Sequence, residues 1–316
     1  MEQISRSIYK AYSFWIPGLV AGLFLSISFK SHGQGYLEAV NLTDELMPLQ
    51  VKNSKVDKSF YGNNLQLNDL LPIFLKEDKT QFLLVGLDLG SFSFSGMHPD
   101  FPVTNLYSIA PKVGYGWRIT QRLFMSAMAI PVLNTDLNEV KGTDVHIGGI
   151  VHGAYRINDN LSVKLTLGCI KQYYGPQYIA LLGFDWKITE RWRLFGDMPI
   201  YGTLSYCVSP KVNVGLNYSG VSTSYGLAGQ NEYFEYTSVQ LGVFGEYYLT
   251  SKLALRGTVA YSAQRDMELY NMANKMAGGG IVYIDTGPQT TSLYPELVNG
   301  LVYKLSLSVR FPEARK

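Results

Sequence analysis

Trp186-Lys-Ile-Thr-Glu-Arg-Trp192 is one of five copies of a single phrase, the others being Trp117-Arg-Ile-Thr-Gln-Arg-Leu123, Tyr155-Arg-Ile-Asn-Asp-Asn-Leu161, Tyr206-Cys-Val-Ser-Pro-Lys-Val212 and Tyr247-Tyr-Leu-Thr-Ser-Lys-Leu253. Each opens on an aromatic, places a branched apolar residue two positions later, continues through Thr, Asn or Ser to a polar or basic residue, and closes on an apolar residue that restarts alternation. A polar tripeptide between two alternating runs is a tight hairpin turn, because these residues tolerate or pre-set turn dihedrals. Each copy therefore ends one strand and begins the next. The aromatic shares a strand face with the branched apolar residue and sits one step inside the turn. Trp117, Tyr155, Trp186, Tyr206 and Tyr247 then draw a ring around one rim, the place where amphipathic rings meet a lipid headgroup layer.

Taking the turn aromatics as outward-facing fixes the phase of the flanking runs. Tyr107, Ile109, Pro111, Val113, Tyr115, Trp117 and Ile119 point one way and Ser108, Lys112, Gly114, Gly116 and Arg118 the other. Leu161, Val163, Leu165, Leu167 and Cys169 oppose Ser162, Lys164, Thr166 and Gly168 in the same manner. So do Leu241, Val243 and Tyr247 against Gln240 and Glu246, and Leu301, Tyr303, Leu305, Leu307 and Val309 against Lys304, Ser306, Ser308 and Arg310. A period of two held this cleanly means one apolar and one polar face.

A soluble sandwich would alternate too. These runs, however, have the 9 to 11 or more residues that a tilted strand needs to cross a bilayer, against a usual mode of about 5 or 6. The reading is an all-β fold, a transmembrane antiparallel up-and-down β-barrel. A sixth short turn at Lys76–Thr80 makes six hairpins; with the closing run and a weakly patterned one over Leu37–Val51 the total is about 14 strands, or 12 without those two. Short turns on one side face longer connections at 134–144, 169–177, 219–235 and 264–296 on the other. Within the last, Met267, Tyr270, Ala273 and Met276 recur at near-helical spacing and suggest a short helix.

The N-terminus joins basic Arg6 and Lys10 to an apolar run from Phe14 to Phe29 and then to small residues around Ser31 and Gly33. That is the layout of a secretory signal peptide over 1–33, leaving a barrel over 34–316; an uncleaved anchor is the alternative. Cleavage removes Arg6, Lys10, Lys30 and Glu2 and leaves 24 basic and 24 acidic residues, a balance that gives no reason to expect nucleic acid as a partner. Membrane lipid and the barrel-insertion machinery are the expected partners. Cys169 and Cys207 fall on opposite faces of separate strands and are expected unpaired.

The stretch from Tyr178 through Gly183-Phe-Asp-Trp-Lys-Ile-Thr-Glu-Arg-Trp-Arg-Leu194 to Pro199 resembles the signature of an uncharacterised family of Bacteroidota outer-membrane β-barrels, a domain of unknown function. Pro111–Trp117 and the Tyr206 and Tyr247 turns resemble it too, so the likeness spans most of 60–311. The resemblance implies the fold and the outer membrane of a Gram-negative bacterium, and supplies no catalytic residue.

Residues able to carry chemistry are few. His146 and His152 share an inward face but stand about 20 Å apart along the strand, too far for one ion, so no metal or cofactor is expected. His98 has no evident partner. A lipid hydrolase would need a nucleophile beside a base such as His152, and no Gly-x-Ser-x-Gly accompanies it, so no catalytic residue is assigned and no enzyme expected. The lumen-facing charges are Asp88, Lys112, Arg118, Arg156, Lys164, Asp185, Lys187, Arg193, Asp197, Glu246, Arg256, Lys304 and Arg310, a set that leans positive, joined there by His146 and His152. They read either as the lining of a pore for small solutes or as an ion-pair network that fills and stiffens the barrel. The expected function is thus a channel or porin-like protein, with a structural or surface-binding barrel as one alternative and a lipid hydrolase as the other.

Overall fold

The computed structural model describes residues 36–54, 59–96, 99, 101, 105–228, 231–274, 280–281, 284–285 and 291–312. The expected signal peptide, His98 and Met276 lie outside them. In chain order the strands are β1 (Tyr36–Leu49), β2 (Phe60–Asp69), β3 (Leu71–Phe74), β4 (Gln81–Ser95), β5 (Leu106–Arg118), β6 (Leu123–Thr135), β7 (Val145–Asn158), β8 (Leu161–Lys171) and β9 (Pro176–Lys187). They continue as β10 (Trp192–Met198), β11 (Tyr201–Ser209), β12 (Val212–Leu227), β13 (Glu232–Tyr248), β14 (Leu253–Asn271), β15 (Gly280–Ile281), β16 (Ile284–Asp285) and β17 (Gly300–Pro312). Each wall strand pairs antiparallel with the next, β3 continues the β2 column along β4, and β14 passes directly to β17, which pairs with β1 from Tyr36↔Pro312 to Leu46↔Tyr303. The result is a closed antiparallel barrel of 14 strands. Closure leaves no sheet edge around the wall, which is what a spanning sheet requires.

The five-fold phrase has a common geometry. Thr120, Thr189 and Thr250 each accept, on the side-chain oxygen, the amides two and three residues on, at 3.1 and 2.9, 3.2 and 3.0, and 3.2 and 3.0 Å. The residue before each Thr donates its amide to the carbonyl that restarts the next strand, as in Ile188 to Trp192 at 3.0 Å. Asn158 and Asp78 do the same work at their own turns, accepting from Asn160 and Thr80. The Thr80 amide and hydroxyl also hold the Asp78 carboxyl below the usual carboxylate range. The phrase recurs because a local side-chain bond satisfies amides that the tight turn leaves unpaired. Thr250→Val keeps the shape and removes the acceptor, so it is expected to cost about 1 kcal/mol in urea unfolding from lipid vesicles; an unchanged midpoint would deny the turn this role.

The exterior is apolar along its height. Val113, Ile147, Leu165, Leu182, Leu216, Leu241, Val243 and Leu305 are all exposed side chains. The turn aromatics stand at the short-turn rim, where the tilted rings of Trp192 and Tyr206 pack with centroids 4.8 Å apart. Towards the other rim, exposed Tyr61, Tyr178, Tyr261 and Tyr303 make a second set, of which Tyr303 is on the face that the sequence assigned to it.

The long-connection end differs from the expectation. Residues 219–227, 232–235 and 264–271 are strand, not loop, because β12, β13 and β14 run on past their outer neighbours. β11 pairs with β12 only as far as Tyr201↔Ser219, and β17 with β14 only as far as Ser262↔Gly300. The prolonged parts, 221–227, 232–238 and 264–271, form a three-stranded flap that stands inside the mouth. Met267 and Tyr270 belong to β14, so the expected helix reduces to a single 3-10 turn at Met272–Asn274. β14 also carries a bulge: Val239 pairs Gln264 while Gln240 pairs Ser262, which shifts the phase of β14 by one residue and turns Arg265, Met267 and Leu269 to the lumen side.

Candidate functional site

The inner part of the lumen is ionic, and its charges meet one another across neighbouring strands. Lys112 on β5 pairs with Asp88 on β4, and Arg193 on β10 grips Asp185 on β9 through two bonds of 2.8 and 2.7 Å. Lys164 reaches Asp197 two strands away at 3.6 Å. Glu246 on β13 lies between Arg256 and Arg310, each 2.7 Å off, and Asn213 donates to it as well. Arg310 continues to Glu38 at 2.9 Å, and Lys304 sits between Glu45 at 3.2 Å and Ser219 at 3.4 Å. Gln240 reaches the same Glu45 from β13 at 2.8 Å.

Glu38 and Glu45 were absent from the sequence-derived set, since β1 carried no clear alternation from which to phase them. They offset part of the positive excess expected of the lumen. Three members of that set lie at the short-turn rim instead of deep inside: Arg118 is exposed, Lys187 pairs with Glu190 in the adjoining turn, and Arg156 donates to the Gln121 carbonyl. His152 bonds the Thr166 hydroxyl at 2.8 Å and faces the lumen, away from the apolar exterior. His146 is buried near the mouth, its ring 4.5 Å from that of Tyr173. Among the described residues, no three His, Cys, Asp or Glu side chains gather as metal ligands would.

The mouth is closed by the flap, which is buried on both faces. Its lumen-side face presents Tyr225, Phe234, Tyr236 and Met267 to Met47, Phe60, Phe92 and Phe101, and all eight are at least 95% removed from solvent. Phe92 on β4 meets Tyr236 on β13 edge-on at 5.2 Å, and Phe101 packs 4.5 Å from Tyr294. Such aromatic pairs add to the burial of apolar area that holds the flap down.

The other face carries Ser222, Ser224 and Thr237 beside Tyr233 and Tyr270, which pack with Tyr173 and Tyr174. The β8–β9 turn folds across it: Gln172 Oε1 accepts from the amide and hydroxyl of Ser224 at 3.2 and 2.9 Å, and the Tyr173 amide donates to Ser224 Oγ at 2.8 Å. From β6, Asn134 Nδ2 donates to the Ser224 carbonyl at 3.1 Å and to Thr223 Oγ1 at 3.0 Å. Gly226 pairs with Thr135 of β6 in parallel, across the barrel from its own wall. A Cβ on Gly226 would come within 2.8 Å of the Tyr173 ring, so glycine is what lets this turn lie flat on the flap. Beside it a cavity of about 510 Å³ opens among Thr135, Lys141, His146, Lys171 and Tyr173. None of these contacts was anticipated. The available signal was Tyr218-Ser-Gly-Val-Ser-Thr-Ser-Tyr-Gly226, a strand with no apolar face to offer lipid.

Among the solved structures similar to this chain are outer-membrane channels, all at low identity. An outer-membrane channel from Pseudomonas putida F1 is 10% identical over 90% of this chain and 100% of that one, with a TM-score of 0.42. The TodX monoaromatic hydrocarbon channel, as a deletion mutant, is 12% identical over 90% and 91%, with a TM-score of 0.41. OprB of Pseudomonas putida is 10% identical over 88% and 94%, at 0.39. The strand number, closure and apolar exterior described above rest on this chain's own pairing register. No curated protein matches the chain. A family profile covers residues 75–277, from the first short turn to the end of the flap, and the chain belongs to that family, the domain of unknown function DUF6268.

Proposed function

We propose that this porin-like barrel lies in the outer membrane of a Gram-negative bacterium, of the Bacteroidota as its turn signature suggests, with its short turns in the periplasm, and passes small solutes through its lumen. The observation that carries the reading is the lumen lining between Asp88 and Arg310: ionic side chains held in mutual pairs on the wall, inside a cylinder whose exterior is apolar. Each of these charges meets its partner within the wall lining, so none depends on a counter-ion from the axis. The hydrolase reading has its base inside the lumen, bonded to Thr166, and no enzymatic role is proposed. The aromatic closure at the mouth favours the alternative of a barrel that transports nothing.

Conductance decides between the two. Purified protein in planar bilayers is expected to give discrete current steps in 1 M KCl. A membrane that stays silent after repeated insertions, with the unmodified chain and with variants that loosen the flap, contradicts transport.

A further inference from the structure

The three-stranded flap has the features of a moving part. Two marks fall at one level: Gly220 on β12 is opposite Val239 on β13, where the β13–β14 bulge begins. Bulges kink and twist the strand that bears them, so this line is where the sheet departs from the wall. Past the line the flap loses both lateral neighbours of the barrel: the last tie to β11 is the bond from the Gly220 amide to the Ile200 carbonyl at 2.7 Å, and β17 starts only at Gly300. Arg265, just beyond the bulge, anchors the line by donating to the carbonyls of Pro48, Gly300 and Leu301 at 2.8 to 3.1 Å.

Besides the bonds of Leu269 to Ser292 and Leu293 and of Gly226 and Ala228 to Asp136, two features hold the far part of the flap across the mouth. One is the aromatic packing of Phe234, Tyr236 and Tyr225. The other is the knot at Ser224, where amide, carbonyl and hydroxyl are all engaged by Gln172, Tyr173 and Asn134 of the opposite side. The knot bonds are replaceable by water, whereas wall hydrogen bonds in lipid are not.

We infer that the outer parts of β12, β13 and β14 are a door, hinged on the line Gly220–Val239 and anchored by Arg265, and that the Ser224 knot is its latch. This rests on the transport reading for its purpose, since a door on a lumen that carries nothing would have none. The closed form is the one described here. Opening swings residues 221–227 off β6 and the β8–β9 turn, and leaves the ionic lumen below Gln240 intact.

Two variants with opposite effects test it. Ser224→Ala together with Gln172→Ala and Asn134→Ala unties the knot and leaves the aromatic face untouched; hydrogen exchange of the 221–227 amides in lipid vesicles is expected to accelerate at least about ten-fold while the amides of β7 and β8 keep their rates. Asn134→Cys with Thr223→Cys, in a background with Cys169 and Cys207 replaced by Ser, joins side chains now in contact across the mouth. Oxidation is expected to slow exchange in the flap, and a reductant to restore it. In planar bilayers the untied variant should show a several-fold higher open probability than the unmodified chain and the oxidised one should be shut. Equal exchange rates in the untied and unmodified proteins would overturn the door. Faster exchange with no current from any form would leave the door standing and sink the transport reading.

Discussion

Glu246→Ala is expected to destabilise the barrel by about 3–5 kcal/mol, the largest effect of any single lumen substitution. The carboxylate is 1% exposed and is shared by two guanidiniums, so truncation leaves Arg256 and Arg310 facing each other with no anion between them. Arg310 is itself 3% exposed and cannot turn to water; of the carboxylates paired with it, Glu38 remains, beside the Tyr248 hydroxyl. The same change at Asp185 frees a single arginine, Arg193, that is 24% exposed and lies over Phe195, so its cost should be smaller, nearer about 1 kcal/mol. Urea titration of both variants from lipid vesicles, read by tryptophan fluorescence, measures the difference. Equal, small losses would mean that lumen water already screens the Glu246 cluster, and that the ion pairs follow from the fold without holding it.

Val243→Arg is expected to cost about 2–4 kcal/mol, as charged residues near the bilayer midplane do on the lipid face of a barrel. Val243 lies four residues along β13 from the turn aromatic Tyr247, and its side chain is exposed on the outer surface. In a soluble protein an exposed valine replaced by arginine would be nearly neutral, which is why the substitution discriminates. Val243→Leu serves as the comparison and should change little. Folding into vesicles with the stability of the unmodified chain would mean that this face meets water.

The parts of this fold that were legible in the sequence are those with two different environments on their two sides. β5, β8 and β17 alternate because lipid lies on one side and the lumen on the other, and their phase could be set from a turn aromatic alone. The turns were legible for a more local reason: the Thr or Asn that satisfies the turn amides is itself part of the repeated phrase. Where both faces of a strand meet protein, the alternation that betrays a strand vanishes. That is the case for 221–227 and 232–235, which read as loop, and for 264–271, where the bulge adds a one-residue slip in phase.

The candidate site divides the same way. Asp185, Arg193, Glu246, Arg256 and Arg310 were placed from strands with a clean period. Glu45 and Glu38 were not, because β1 interleaves Asn41, Thr43 and Asp44 among its leucines and offers no phase. The latch formed by Asn134, Gln172 and Ser224 joins residues up to 90 positions apart through short polar side chains, and no local pattern marks it.

The central claim, a closed cylinder with hydrocarbon outside and charged side chains within, is tested most directly on its closing strand. Spin labels placed one at a time from Leu301 to Val309, in lipid vesicles, report collisions with oxygen, which concentrates in hydrocarbon, and with a water-soluble nickel complex, which does not. Leu301, Tyr303, Leu305 and Leu307 are exposed on the outer face, while Val302 and Ser308 are buried within. The expected result is an oxygen accessibility that rises and falls with a period of two, high at the odd positions, with the nickel complex excluded from those same positions. A profile without that alternation, or one in which the odd positions are shielded from oxygen and nickel alike, would contradict the barrel and its place in the membrane.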